Sequence, residues 1–234
     1  MCTSSTSAED LGINYVPPSQ SSLRVGVIIL SQDQIQLTDL AAIDLLSTLG
    51  RSRIGRLSAP ASTLEEAVDE VDIRYVSVTG EGSFPVTSGA RMPVTNSFAN
   101  APQFDVLVIP GSFTAKELPP AANTFLEAQC SSSELHAIFS ISSGILHLVQ
   151  TGLLWKRRAS APRCLVQALQ QRYPETLWQS KAWNRHEKVW TSSTSISALD
   201  MIACWMREFF WDRHEAVECA LTAAGIGSLD DFDY

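Results

Sequence analysis

Ser142 stands where an apolar run, Ala137-Ile138-Phe139-Ser140-Ile141, gives way to the small residues Ser142-Ser143-Gly144 and then to Ile145-Leu146. The pattern predicts a strand, a sharp turn and a helix. Such a turn lifts a side chain above the sheet and aims the N–H groups of the next helix at whatever reacts there. A hydroxyl is a weak nucleophile unless a base assists it. The histidines are His136, His147, His186 and His214. His147 follows the turn on the same helix, at a spacing that points it away from the face of Ser142, so its plain reading is a buried structural histidine. Three roles stay open for Ser142: a hydroxyl that orients substrate or water, a true nucleophile, or an inert residue.

Asp39 opens the apolar run Asp39-Leu40-Ala41-Ala42-Ile43. There it can cap a helix or complement its dipole. A carboxyl against apolar walls also gains a raised pKa, which suits proton transfer near neutrality. Gly111, in Pro110-Gly111-Ser112, lets a ligand approach the main chain closely. The N–H groups of Ser112 and Ser143 are then candidate oxyanion donors. Thr191 and Ser192 close an apolar run, where they can line a pocket or simply form a turn. No cluster of ligating side chains points to a metal, and no cofactor is expected.

The elements that must position these residues read as follows. Leu23 to Leu30, Ile73 to Val78, Phe104 to Ile109 and Ala137 to Ile141 are buried strands. Phe84 to Thr87 and Met92 to Val94 form a hairpin around Ser88-Gly89. Leu177 to Trp183 and Lys188 to Thr191 are two more strands. Helices are expected from Asp39 to Gly50, 121–130, 144–152, 164–173, 196–210 and 215–224, with a polar loop or short-helix insertion over 51–70. Strands alternating with helices imply a mostly parallel sheet covered on both faces. Ligands bind such sheets outside the carboxyl ends of the strands, and Asp39, Gly111-Ser112 and Ser142 all follow strand ends.

Over Leu23 to about Phe210 the chain resembles the DJ-1/PfpI superfamily, with its class I glutamine-amidotransferase-like fold. The branch it resembles holds isocyanide hydratases and their fungal relatives. The matching segments are Gln36-Leu37-Thr38-Asp39-Leu40-Ala41, Val86-Thr87-Ser88-Gly89, Phe104 to Gly111, Ser140-Ile141-Ser142-Ser143-Gly144, Thr151-Gly152-Leu153-Leu154 and Val189 to Ser193. The resemblance implies an α/β, flavodoxin-like three-layer sandwich with a mostly parallel central sheet, and a homodimer. It also implies a carboxylate at position 39, a nucleophilic cysteine at position 142 and oxyanion contacts from Gly111-Ser112 and Ser143. The chain departs from that pattern in three places. Ser142 replaces the cysteine, Pro162-Arg163 stand where many members carry His or Asn, and Ser112 replaces the second glycine of the Pro-Gly-Gly turn. Thiolate chemistry at position 142 is therefore excluded.

The chain has 234 residues and a formal net charge of -8. Residues 23–234 are expected to form one domain behind a Ser/Thr-rich leader, 1–22. Without a basic face no nucleic-acid partner is expected. Without a long apolar run no membrane span is expected. The five cysteines are widely spaced and odd in number, which fits a reducing, cytoplasmic setting. Trp205, Phe209, Phe210 and Trp211 are candidates for a dimer interface. The expected function is a lyase-like enzyme on a small molecule, a hydratase, dehydratase, cyclase or rearrangement catalyst, with a tailoring step in specialised metabolism as its setting. Asp39 moves the proton and Ser142 accompanies it. The alternatives are a ligand-binding or regulatory protein without catalysis and a serine hydrolase or amidase.

Overall fold

The computed structural model describes residues 22–30, 34–112 and 117–227. The expected leader up to residue 21 and the acidic run at 230–233 lie outside them. In chain order the strands are β1 (Ser22–Ile28), β2 (Glu70–Ser77), β3 (Ser83–Pro85), β4 (Arg91–Pro93), β5 (Asn96–Ser97), β6 (Val106–Ile109), β7 (Ala137–Ser140), β8 (Arg158–Ser160), β9 (Leu177–Gln179), β10 (Trp183–His186) and β11 (Val189–Ser192). The helices are α1 (Ala41–Ser47), α2 (Arg51–Ile54), α3 (Ala61–Glu66), α4 (Pro120–Ser131), α5 (Ile145–Leu148), α6 (Arg163–Arg172), α7 (Ser195–Phe209) and α8 (His214–Ala223). Their contacts gather into two compact units.

The larger unit, Arg24–Asp44 with Asp72–Met201, holds the sheet. Its seven strands run in the order β10-β11-β7-β6-β1-β2-β5. The pairs β1–β6, β6–β7, β7–β11 and β2–β5 are parallel, and β10 runs antiparallel to β11. The fold is thus α/β, with a mostly parallel central sheet flanked by helices. β6 and β7 are buried along their whole length, as strands covered on both faces must be. Leu107, Ile109 and Ile138 share one apolar cluster with Ala122, Phe125 and Leu126 of α4, Ile145 and Leu148 of α5 and Leu169 of α6. Burying such side chains contributes about 1.5–3 kcal/mol each before chain entropy is counted.

The amino ends of β1 and β6 are clamped by charge. Asp105 accepts from the Arg24 main-chain N–H at 2.7 Å and from its Nη2 at 2.7 Å, and Glu134 accepts from the same Nη2 at 2.8 Å. The two carboxylates hold the Arg24 guanidinium more firmly protonated than usual. This clamp lies at the strand ends opposite those that Asp39, Gly111 and Ser142 follow.

The smaller unit contains Leu45–Val71 and the described residues from 202 onward. Ile54, Ala67 and Ala216 form its apolar cluster, with Leu64 and Cys219 packed against it. Glu66 caps α8 by accepting from the N–H of Glu215 at 2.8 Å and of Ala216 at 3.3 Å. Trp205 stacks on Phe209 at 4.8 Å and meets Phe210 edge-on. All three rings are buried. The candidate dimer aromatics therefore reduce to Trp211, which is exposed.

Element types follow the sequence reading, with local differences. The helix expected from Asp39 to Gly50 splits into a 3-10 turn, Leu37–Leu40, followed by α1, and Gly50 stands instead at the start of α2. The helix expected over 144–152 is α5 between two 3-10 turns, Ser142–Gly144 and Val149–Thr151. The run from Leu177 to Trp183 divides into β9 and the start of β10. β5 has no apolar signature and was not foreseen.

Gly26 in β1 faces the ring of Phe104, where an added Cβ would lie 2.7 Å from Cδ2. Phe104 is fully buried and has little room to yield. Gly26→Ala should lower stability by about 1–3 kcal/mol, the usual penalty of overpacking. A denaturation midpoint equal to the parent's would show that the ring moves aside freely.

Candidate active site

The strand order reverses between β1 and β6: β2 follows on one side, β7 and β11 on the other. A crevice opens at the carboxyl ends of strands about such a switch point. Asp39 follows β1, Gly111 and Ser112 follow β6, Ser142 and Ser143 follow β7, and Thr191 and Ser192 end β11.

The chain after β1 is stitched in place by main-chain bonds. Ile35 bridges both Val86 and Ser112, and the Gln36 N–H donates to the Gly111 carbonyl at 3.2 Å. This sets the 3-10 turn that carries Asp39 directly over the end of β6. Asp39 is fully buried, and its Oδ2 accepts from the Gly111 N–H at 2.6 Å. Its other oxygen, Oδ1, is buried with no hydrogen-bond partner. Desolvation is the main cause that pushes the Asp39 carboxyl up to about 6, offset in part by the Ser195 hydroxyl and the Gly111 amide. Ser195 is in turn bonded by the Thr38 hydroxyl at 3.1 Å.

Gly111 has no room for a side chain. A Cβ there would lie 2.8 Å from Asp39 Oδ2 and 3.2 Å from the Ser143 main-chain nitrogen. The carboxyl, the Gly111 turn and the Ser143 turn thus converge. Ser143 Oγ donates to the Ser112 carbonyl at 2.9 Å, tying the turns after β6 and β7 together.

Ser142 itself takes a left-handed backbone, with φ at 50°. For a serine this costs on the order of 1–3 kcal/mol, and such strain gathers at functional turns. Its N–H donates to Ser192 Oγ at 3.4 Å. Two positions on, Gly144 packs so tightly on the Ile109 carbonyl that any Cβ would collide with it. The strand-to-helix elbow read from the sequence is therefore present, built by a strained serine and a glycine pressed against β6.

Thr191 and Ser192 bind main chain. Thr191 Oγ1 accepts from the Ser160 N–H at 2.8 Å, so it ties β11 to β8, while Ser192 supports the elbow. Beside them Ser140 Oγ and Ser160 Oγ are buried without a hydrogen-bond partner. Pro162 precedes α6 as its N-cap residue.

His147 is the residue whose place the sequence reading missed. It is buried, as expected, but its Nε2 lies 3.0 Å from Ser112 Oγ. Ser195 was missed as well. Its only signal is its place just past the end of β11. Among the described residues no group of three or more His, Cys, Asp or Glu is placed to hold a metal ion. Nor is any helix there long and apolar enough to cross a membrane.

The fold has counterparts among known proteins. The profile of the DJ-1/PfpI family matches residues 56–208, and the chain belongs to that family. Among solved structures it is similar to a putative transcriptional regulator protein from Vibrio parahaemolyticus, with a TM-score of 0.68 and 15% identity over 88% of this chain and 100% of that one. Drosophila melanogaster DJ-1beta gives 0.65 and 14% over 88% and 99%. An AraC family transcriptional regulator from Pseudomonas putida gives 0.62 and 18% over 84% and 97%. At these identities the likeness establishes the fold. No curated protein sequence matches the chain.

The buried carboxyl has a thermodynamic signature. The folded Asp39 holds its proton up to about 6, against 3.8 ordinarily, so the native state gains protons over that window and loses stability as pH rises through it. Above it the buried charge costs up to about 3 kcal/mol, at 1.36 kcal/mol per pKa unit. Asp39→Asn removes the charge and keeps an acceptor for Gly111. Thermal unfolding should show the variant more stable than the parent at pH 8 and matched to it at pH 4. An equal difference at both values would contradict the raised pKa.

Proposed function

We propose that the chain is a lyase-like enzyme on a small molecule, working by acid/base chemistry rather than by a thiol. Asp39 carries the argument. It is a fully buried carboxyl with one oxygen fixed by Gly111, the other without a protein partner, and a pKa near neutrality. A group of that pKa exchanges protons in both directions at physiological pH. Holding it buried with one oxygen unpartnered is a cost that proton transfer to a bound molecule would explain.

In this reading Asp39 Oδ1 gives a proton to the substrate or takes one from it. Ser142, at the position where the family resemblance implies a nucleophilic cysteine, orients the substrate or a water molecule. Because the Gly111 N–H is engaged by Asp39, stabilisation of a developing oxyanion falls to the amides of Ser112 and Ser143. Thr191 and Ser192 support the pocket through the main-chain bonds they accept. Hydration or dehydration, or a cyclisation or rearrangement driven by the same proton transfer, fits this equipment. A step in specialised metabolism, a cytoplasmic setting and a homodimer complete the proposal. A resemblance to the isocyanide hydratase branch suggests the first reaction to try, addition of water to an isocyanide to give an N-formyl amine.

A second reading has its own support. Two of the similar structures are described as transcriptional regulators, so the chain is also read as a ligand-binding regulatory protein without turnover. The two readings separate on Asp39. Against a panel of aryl isocyanides and small hydroxy and carbonyl compounds, an enzyme should show turnover that falls at least a hundredfold in Asp39→Asn and less in Ser142→Ala, with kcat/KM governed by one ionisation near pH 6. Turnover equal to the parent's in Asp39→Asn would remove the acid/base reading. Binding without turnover would favour the regulatory one.

A further inference from the structure

Ser142 has the elbow of a nucleophile but no histidine beside it. A serine with a histidine stands on the neighbouring turn. Ser112 Oγ and His147 Nε2 are 3.0 Å apart, within the reach of a nucleophile and its base, and both residues are buried. Ser112 is held from three directions. It bridges Ile35 through its main chain, its carbonyl accepts the Ser143 hydroxyl, and its own hydroxyl meets His147. The residue before it carries the amide that fixes Asp39. A histidine that only filled the core between Ile145 and Leu148 would need one polar contact anywhere. This one makes its contact with a hydroxyl on the turn after β6, next to the amide that fixes Asp39.

We propose that Ser112 and His147 form a nucleophile–base pair for acyl transfer, distinct from the Asp39 chemistry, taking a carboxylic ester as substrate. With the imidazole proton on Nδ1, Nε2 accepts the Ser112 hydroxyl proton as Oγ bonds to the acyl carbon. The bond to the alkoxide leaving group then breaks, and Nε2 returns the proton to it. Water attacks the acyl-serine, passing a proton through Nε2 back to Ser112 Oγ.

A fluorophosphonate probe tests the pair without knowledge of the substrate. Ser112 Oγ displaces fluoride from phosphorus and its proton passes to His147. Peptide mapping by mass spectrometry should place the adduct on Ser112, and Ser112→Ala should lose it. No adduct, or one on Ser142 instead, overturns the proposal, while the fate of Asp39→Asn turnover stays a separate question. Ser112→Cys supplies a second reading that does not depend on the stability of His147 variants. Its alkylation by iodoacetamide, mapped to position 112, should reach half its maximal rate at least one pH unit below the ordinary thiol value of about 8.5. Adding His147→Gln should restore the ordinary value. A thiol that behaves alike with and without His147, or one that iodoacetamide never reaches, contradicts the pair.

Discussion

The Asp39 carboxyl, buried and held by the Gly111 amide, is the constraint around which the carboxyl-end loops of the sheet are arranged. One hydrogen bond of 2.6 Å satisfies one oxygen, and the other has no partner from the protein. Leaving a buried acceptor unsatisfied costs on the order of 1–3 kcal/mol. The surroundings show how that cost is borne. Gly111 gives up any side chain to let the carboxyl approach, and Ile35 and Gln36 pin the preceding segment by main-chain bonds. The apolar core of the larger unit, with β6 and β7 buried throughout, supplies the rigidity.

The turn after β7 repeats the same logic. Ser142 takes a left-handed backbone that serine adopts reluctantly, and Gly144 presses on the Ile109 carbonyl. Neither arrangement stabilises the chain locally. Both belong to the turn whose Ser143 lies against Gly111 and its Asp39 contact. Local rules broken together at one end of one sheet are what a functional site is expected to show.

Much of this was legible in the sequence. The strands β1, β6 and β7 are nearly continuous apolar runs, which only a sheet covered on both faces explains. Asp39, Gly111 and Ser142 each follow such a run, so their meeting at the strand ends could be read from the alternation of elements alone. The order and spacing of short segments gave the family, which the match over residues 56–208 establishes. Other features were not legible. β5 is two polar residues, Asn96–Ser97, paired to β2 by register rather than by hydrophobicity. The link between His147 and Ser112 joins positions 35 apart in sequence, and helical spacing on α5 says only that His147 turns away from Ser142. The commitment of Gly111's amide to Asp39 rather than to an oxyanion is likewise a tertiary fact. Trp205, Phe209 and Phe210 are candidates for a dimer interface from the sequence, but they pack on one another, stacked or edge-on, in the smaller unit.

The proposed chemistry needs a carboxyl that keeps its proton up to about pH 6. Carbon-13 NMR of the protein labelled at its aspartate carboxyls, with Asp39 assigned by comparison with Asp39→Asn, measures this directly. The resonance assigned to Asp39 should titrate with a midpoint about 6, apart from the other aspartates. A midpoint at the ordinary 3.8 would mean that the carboxyl is solvated and charged, and that its burial is not the source of its chemistry.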